Sequence, residues 1–174
     1  MSNPSMPSRP VEVRDAEGHD LLRVAEIFAD VVTRTHYSFV LEPPDVDHWK
    51  GKLADLDGRD GFLVAASAAS GIVQGFAYSG PFRPRPAYDR TRETTIYLAP
   101  DARGQGTGVA LYTALLNRLE TLGNRLAIGI VAEPNPASEA LHRRLGFERA
   151  GTLPDVGEKF GRLWSTTSWV RRLS

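Results

Sequence analysis

The sequence contains no cysteine. A thiol nucleophile, a disulfide framework and a cysteine-ligated zinc site are therefore excluded. It also has no long apolar run, so no segment is expected to span a membrane, and its start, MSNPSMPSRP, lacks the apolar stretch of a signal peptide. These absences lead us to expect a cytoplasmic protein without membrane contact and without a bound metal.

An excess of charge is also missing, since 21 Lys and Arg residues balance 21 Asp and Glu residues. A balanced chain lacks the basic surface typical of nucleic-acid or anionic-membrane binding, which favours small-molecule partners. The length of 174 residues and the 41% apolar content suit one domain with a substantial core. Residues 1–10, rich in proline and serine, predict a flexible tail before a single domain at 11–174.

Glycine, by contrast, is concentrated in one loop with the sequence DARGQGTG at 101–108. An extended alternating run at 93–98 precedes this loop, and helical periodicity begins at Val109. Because a helix N-terminus offers unpaired N–H groups and the positive end of a dipole, the loop predicts a pyrophosphate site. Its spacing fits neither a Walker A loop nor a dinucleotide fingerprint, and its fixed positions read R-x-x-G-x-G.

The remaining periodicity predicts alternating strands and helices. We expect strands at 11–13, 61–66 and 72–78, and helices at 20–33 and 46–56. The apolar run 126–132 predicts a central strand that lies parallel to 93–98 after a crossover helix closed by Gly123. Asn135 is expected to cap a helix that ends at Gly146, followed by strands at 147–151 and about 162–170 with a turn at 157–161.

Three features leave alternatives open. The link at 35–44 carries aromatic residues that either pack into the core or contact a substrate. The loop at 79–92, with three prolines and four arginines, is either solvated or pre-organised for an acidic ligand. Tyr112 lies on the apolar stripe of its helix, so it is either a core residue or a hydroxyl that meets a ligand.

The order of elements, the R-x-x-G-x-G loop and the segment NPASEALHRRLGF at 135–147 together resemble the GNAT superfamily of N-acetyltransferases. Within it the chain is most similar to phosphinothricin N-acetyltransferases. The similar segments are FRPRPAY at 82–88, the strand 93–98 leading into Pro100, LHRRLGF at 141–147 and VGEKFG at 156–161. This resemblance implies an α/β (α+β) fold: a central mixed, mostly antiparallel sheet with a β-α-β acetyl-coenzyme A-binding core and helices on both faces.

The resemblance also implies a reaction. Acetyl-coenzyme A is the co-substrate, and its acetyl group passes directly to the amino group of a small amino-acid-like substrate such as phosphinothricin, methionine sulfone or methionine sulfoximine. A homodimer with the C-terminal strands near the contact is implied as well. Two alternatives stay open: a GNAT enzyme for another amine or a peptide N-terminus, and a non-catalytic acyl-coenzyme A sensor. A sensor gives no reason for Glu93 and the arginine loop to occur together.

Residue roles are carried over only where positions match. The resemblance implies that Glu93 is the general base, that His142 protonates the leaving thiolate and that Tyr112 assists. The implied cofactor-binding residues are Leu98, Arg103, Gly104, Gln105, Gly106, Thr107, Gly108 and Asn135. The implied substrate-binding residues are Phe39, Arg83, Arg85 and Tyr88.

Overall fold

The structure, a computed structural model, describes residues 10–174, so residues 1–9 of the predicted tail lie outside the described residues. Pro10, the last residue of the predicted tail, accepts a hydrogen bond at its carbonyl from the backbone N–H of Ala68. Within 10–174 no helix has both the length and the apolarity needed to cross a membrane. The strands and helices follow in the order β1 (Val11–Asp15), α1 (Leu21–Arg34), α2 (Val46–Ala54), β2 (Phe62–Ser67), β3 (Val73–Pro81), β4 (Thr91–Leu98), α3 (Thr107–Thr121), β5 (Leu126–Ala132), α4 (Pro136–Arg144), β6 (Glu148–Lys159) and β7 (Arg162–Arg172).

The strands form one seven-stranded sheet in the order β1-β2-β3-β4-β5-β7-β6. Neighbours are antiparallel except β4 and β5, which run parallel and are joined through α3. The predicted mixed, mostly antiparallel sheet with a β-α-β unit is therefore confirmed. The parallel pairing is short: it joins Thr91–Thr94 to Leu126–Gly129 and goes no further.

Helices cover both faces of this sheet, as expected. On one face, α1 and α2 bury Phe28 and Trp49 against Phe62 and Phe76 of the central strands. On the other face, α3 buries leucines at helical spacing, among them Leu111, Leu115 and Leu119, and it packs against β2, β3 and β4. Because each fully buried side chain of this size contributes about 1.5–3 kcal/mol, these two layers hold the sheet in place.

The C-terminal hairpin differs from the prediction. The turn is shorter than the predicted 157–161, because β6 continues to Lys159 and the chain reverses at Phe160 and Gly161, whose φ angles are 54° and 68°. Gly157 is a strand residue whose missing Cβ leaves room for the ring of Phe39. Gly157 therefore serves close packing and not a turn. The pairing of β6 with β7 shifts register next to Gly151 and Gly157, which is why the residues of β6 do not alternate regularly in the sequence.

The arginine-rich loop is also shorter than predicted, because β3 extends to Pro81 and β4 begins at Thr91. Arg90 donates to the carbonyl of Gly123 at 2.7 Å, just beyond the end of α3. Arg92 is 1% exposed and donates to both carboxylate oxygens of Asp57, at 3.1 and 3.0 Å. The Arg92 guanidinium also lies 3.6 Å from the buried carboxylate of Asp60. These two arginines therefore stabilise the fold.

We predict that Arg92→Met costs about 3–5 kcal/mol of unfolding free energy, because it leaves the buried Asp60 carboxylate without its cation. Urea unfolding followed by circular dichroism measures this loss. Arg34→Met is the matched control: Arg34 forms an exposed pair with Asp30 on α1, so its loss should stay under about 1 kcal/mol. Equal losses in the two variants would contradict the assignment.

Candidate active site

The site lies where β4 and β5 separate. Beyond Thr94 and Gly129 the two strands no longer pair, and a cavity of about 720 Å³, here called the central cavity, opens between them. The last residues of β4 and β5 line it, as do the start of α3 and one side of α4. Backbone N–H and C=O groups on the two separated edges have no strand partner and so are available to an extended ligand that carries amides.

One end of the central cavity is the loop between β4 and α3. Gly104 and Gly106 have φ angles of 72° and 84°, in the left-handed region that favours glycine, and Gly106 caps the start of α3. A Cβ on Gly108 would lie 3.3 Å from Leu98, so this glycine lets α3 approach β4 closely. The first-turn N–H groups of α3 lack carbonyl partners within the helix, which suits them to an anion such as a pyrophosphate.

Most of the predicted cofactor-binding residues line the central cavity: Leu98, Arg103, Gly104, Gly106, Gly108 and Asn135. Gln105 does not line the cavity; its side chain donates to the carbonyl of Asp101 at 2.6 Å within the same loop. Thr107 does not either; it is buried, and its hydroxyl has no hydrogen-bond partner within residues 10–174. Asn135 caps α4 as predicted, accepting from the backbone of Ser138 at 3.2 Å.

Glu93 stands at the other end, in the last stretch of β4 that still pairs with β5. Its carboxylate is half-buried, and this burial raises its pKa, while the charges of Arg83 and Lys52 act in the opposite direction. A carboxylate with a raised pKa in a cavity is suited to accept a proton. No group of three His, Cys, Asp or Glu residues that could hold a metal ion occurs in the described part of the chain.

His142, Tyr112 and Thr94 form a hydrogen-bonded chain beside the central cavity. Nδ1 of His142 donates to the Ser138 carbonyl at 2.8 Å, so Nε2 is left to accept from the Tyr112 hydroxyl at 3.2 Å. The Tyr112 hydroxyl lies 2.7 Å from Oγ1 of Thr94. Burial lowers the pKa of His142 and keeps the ring neutral, although it lines the central cavity.

Tyr112 itself does not line the central cavity. It is fully buried among apolar residues, and its hydroxyl finds protein partners, which favours the core interpretation left open by the sequence. Burial raises the pKa of Tyr112 far above its usual range. Gly129 makes room for this pair, because a Cβ there would collide with the ring of His142 and lie 3.3 Å from the Tyr112 hydroxyl.

The aromatic link at 35–44 lines the central cavity through Tyr37, Ser38, Phe39 and Val40. The C-terminal hairpin holds this link from outside. Lys159 donates to the Ser38 carbonyl at 2.7 Å, and His36 stacks on Trp164 with ring centroids 3.9 Å apart. Trp164 carried no signal in the sequence, and Lys159 lay in the similar segment VGEKFG without an assigned role, since both reach the link across more than a hundred residues.

The other predicted substrate residues, Arg83, Arg85 and Tyr88, do not line the central cavity. The guanidinium of Arg83 lies 4.8 Å from the centre of the Phe82 ring, and its charge acts on Glu93. Tyr88 packs edge-on against the same ring, and Arg85 is exposed. Their contacts with a substrate stay predictions. Sequence reasoning missed Tyr78, which lines the cavity near Glu93 and whose only signal was its place at the end of an apolar strand.

Comparison with known proteins identifies the family of this chain. The family model described as the acetyltransferase (GNAT) family matches residues 24–147. The chain belongs to the GNAT family. The resemblance inferred from the loop and the helix at 135–147 is thereby confirmed, and the protein is an acetyltransferase.

Individual GNAT relatives cover almost the whole chain. A phosphinothricin N-acetyltransferase of Streptomyces coelicolor is 37% identical over 93% of this chain and 95% of its own length. An L-methionine sulfoximine/L-methionine sulfone acetyltransferase of Pseudomonas aeruginosa is 38% identical over 86% and 87%. The crystal structure of a GNAT superfamily phosphinothricin acetyltransferase from Sinorhizobium meliloti in complex with AcCoA superposes with a TM-score of 0.90, at 36% identity over 94% and 89% of the two chains.

Proposed function

We propose that this GNAT enzyme transfers the acetyl group of acetyl-coenzyme A to the amino group of a small amino-acid-like substrate. The observation that carries the proposal is one continuous cavity that joins an anion-binding helix terminus to a half-buried carboxylate, Glu93. The names of the relatives support an acceptor of the phosphinothricin, methionine sulfone or methionine sulfoximine type.

For acetyl-coenzyme A, the loop from Arg103 to Gly108 is the proposed pyrophosphate site. The N–H groups of Gln105 to Gly108 are the proposed donors, because Gly104 and Gly106 let the backbone approach the pyrophosphate closely. The pantetheine arm fits between the separated edges of β4 and β5, near Leu98 and Asn135, where its amides replace the missing strand partner.

In the proposed reaction Glu93 accepts a proton from the substrate ammonium, directly or through a water, and so frees the nitrogen lone pair. The amine attacks the thioester carbonyl carbon and the C–N bond forms. The nitrogen then releases its second proton to solvent, the C–S bond breaks and coenzyme A leaves as a thiolate. We propose that His142 returns a proton to this thiolate: its Nε2, which accepts from Tyr112 in the resting site, first takes up a released proton. Tyr112, which does not line the cavity, assists by holding the ring. Ser138 fixes the orientation of the His142 ring for that role.

For the acceptor, Phe39 is the proposed wall of the amino-acid pocket, and the arginine loop supplies positive charge for the acidic end of the substrate. Arg83 supports this role best, because its charge already acts at Glu93. Arg85 and Tyr88 lie further out on the same loop and are proposed to contribute with it. Guanidinium groups bind carboxylates and phosphinates in two-point contact, which favours acidic acceptors.

A panel of acceptors tests the function. We expect coenzyme A release from acetyl-coenzyme A with phosphinothricin, L-methionine sulfone or L-methionine sulfoximine, and little release with polyamines, whose positive charges meet the basic loop. Mass spectrometry should find one added acetyl group on the amino nitrogen. Tight binding of acetyl-coenzyme A by calorimetry without turnover of any amine or peptide would instead favour the sensor alternative.

Glu93→Gln is predicted to lower kcat by about 10²-fold or more, the scale expected for loss of a general base. Since burial raises the pKa of Glu93, the parent should lose activity on acidification earlier than a free glutamate would, and this acidic limb should vanish in the variant. Affinity for acetyl-coenzyme A should be unchanged. Glu26→Gln, at an exposed glutamate of α1, is the control. A parental rate in Glu93→Gln would remove Glu93 from the mechanism.

We further propose a homodimer formed through the C-terminal hairpin. Its support is a set of apolar side chains on β6, β7 and their turn, each more than half exposed: Leu153, Val156, Phe160 and Leu163. β6 is also an edge strand of the sheet. Exposed apolar groups on an edge strand are typical of an interaction surface.

Sedimentation of the purified protein tests this assembly. We expect a dimer for the parent and a monomer for the double variant Val156→Glu/Leu163→Glu, because a carboxylate cannot be buried there without a partner. Ile72→Glu, at an equally exposed residue between β2 and β3, should remain dimeric. A monomeric parent would refute the proposal.

The proposed location is the cytoplasm, where acetyl-coenzyme A is available to the enzyme. Cell fractionation should recover the acetyltransferase activity with the cytoplasmic fraction, and its recovery elsewhere would overturn this proposal.

A further inference from the structure

Lys52 is a half-buried lysine on α2 that no sequence motif singled out. Its ammonium lies 4.1 Å from the centre of the Tyr78 ring. Within residues 10–174 it forms no ion pair, whereas Lys50, on the same helix, is exposed and lies 2.6 Å from Asp47. Burial lowers the pKa of Lys52, while the charges of Asp60 and Glu93 favour its charged form. A half-buried cation without an ion pair is costly, so its position calls for an explanation.

The strand register shows what Lys52 faces. Tyr78 pairs with Thr95 and Gly80 pairs with Glu93, so Tyr78 and Glu93 project from the same face of neighbouring strands. α2 packs on this face, since the rings of Trp49 and Tyr78 lie 6.0 Å apart. Tyr78 and Glu93 line the central cavity, but Lys52 does not. Any contribution of Lys52 to the site must therefore come through its charge and not through contact with a substrate in the cavity.

We propose that Lys52 is a positioning residue for Glu93: its ammonium, held over Tyr78, keeps the Glu93 carboxylate charged and ready to accept the substrate proton. This inference rests on the proposed role of Glu93 as the base. It adds a residue outside the cavity wall to the machinery of the reaction.

The charges around Glu93 set the direction of the effect. Burial raises the pKa of Glu93, and two cations lower it, Arg83 from the loop after β3 and Lys52 from α2. Tyr78 and Tyr97, on the same face, remain neutral phenols because burial raises the pKa of each. Removing Lys52 therefore raises the pKa of Glu93 and leaves less of its basic form at a given pH.

The test is the pH dependence of kcat/KM with the best acceptor of the panel. In Lys52→Met the acidic limb should move to higher pH, so that activity is lost below the limb and is parental well above it. Lys52→Arg retains a cation and should restore the limb to its parental position. Lys50→Met, which removes a lysine of the same helix, should match the parent at every pH. The KM for acetyl-coenzyme A should not change in any of the three.

Thermal unfolding separates this effect from a loss of fold. If Lys52→Met does not fold, Lys52→Gln serves in its place, because a neutral polar group tolerates the half-exposed position. An acidic limb that stays at its parental pH in a folded neutral variant would overturn the inference.

The Glu93→Gln background distinguishes the two proposals. There, Lys52→Met should cause no further loss at any pH. If Glu93→Gln is fully active, the proposed base fails; if it is inactive and Lys52→Met keeps a parental limb, only the role of Lys52 fails.

Discussion

The short parallel pairing of β4 with β5 is the constraint on which the rest of the molecule depends. Only Thr91–Thr94 and Leu126–Gly129 pair, and the strands then separate. On their other edges β4 pairs with β3 and β5 with β7, over most of their lengths, so the sheet stays intact while its centre opens. The opening leaves two edges of unpaired backbone groups, a costly feature that a ligand with amides relieves. The loop proposed to bind the pyrophosphate follows β4 and lines the same opening.

The alternation of side chains along β4 places two adjacent charged residues, Arg92 and Glu93, on opposite faces of the sheet. Arg92 is fully buried and its charge is neutralised by Asp57 and Asp60, and these ion pairs hold β4 against the loop at 57–60. Glu93, the next residue, points to the other face and enters the central cavity half-buried. Lys52 and Arg83 face it without closing an ion pair in the described part of the chain. Because successive side chains of a strand project oppositely, a stabilising cation and the carboxylate proposed as the base can be adjacent without neutralising each other.

Local signals carried much of the prediction. The apolar run 126–132 predicted the limits of β5, and Asn135 and Gly146 predicted the ends of α4, because caps and fully apolar strands are encoded by residues close in sequence. The same reasoning failed where the position of a residue depends on a contact with a residue far away in sequence. Gly157 is expected in a turn, although its missing Cβ makes room for Phe39. Arg92 is expected in an irregular loop, either solvated or directed at an acidic ligand, although it is a buried residue of β4 that pairs with Asp57 and Asp60.

The sequence by itself determined the family and the fold, and it predicted the cofactor loop. These depend on glycine positions, on strand and helix periods, and on segments such as 135–147 that are legible along the chain. Only the tertiary structure decided which side chains meet: that His142 is held neutral between Ser138 and Tyr112, that Arg85 and Tyr88 lie outside the cavity wall, and that Lys52 lies over Tyr78. Such contacts join residues far apart in sequence, and the burial that shifts their pKa values exists only once the layers have packed.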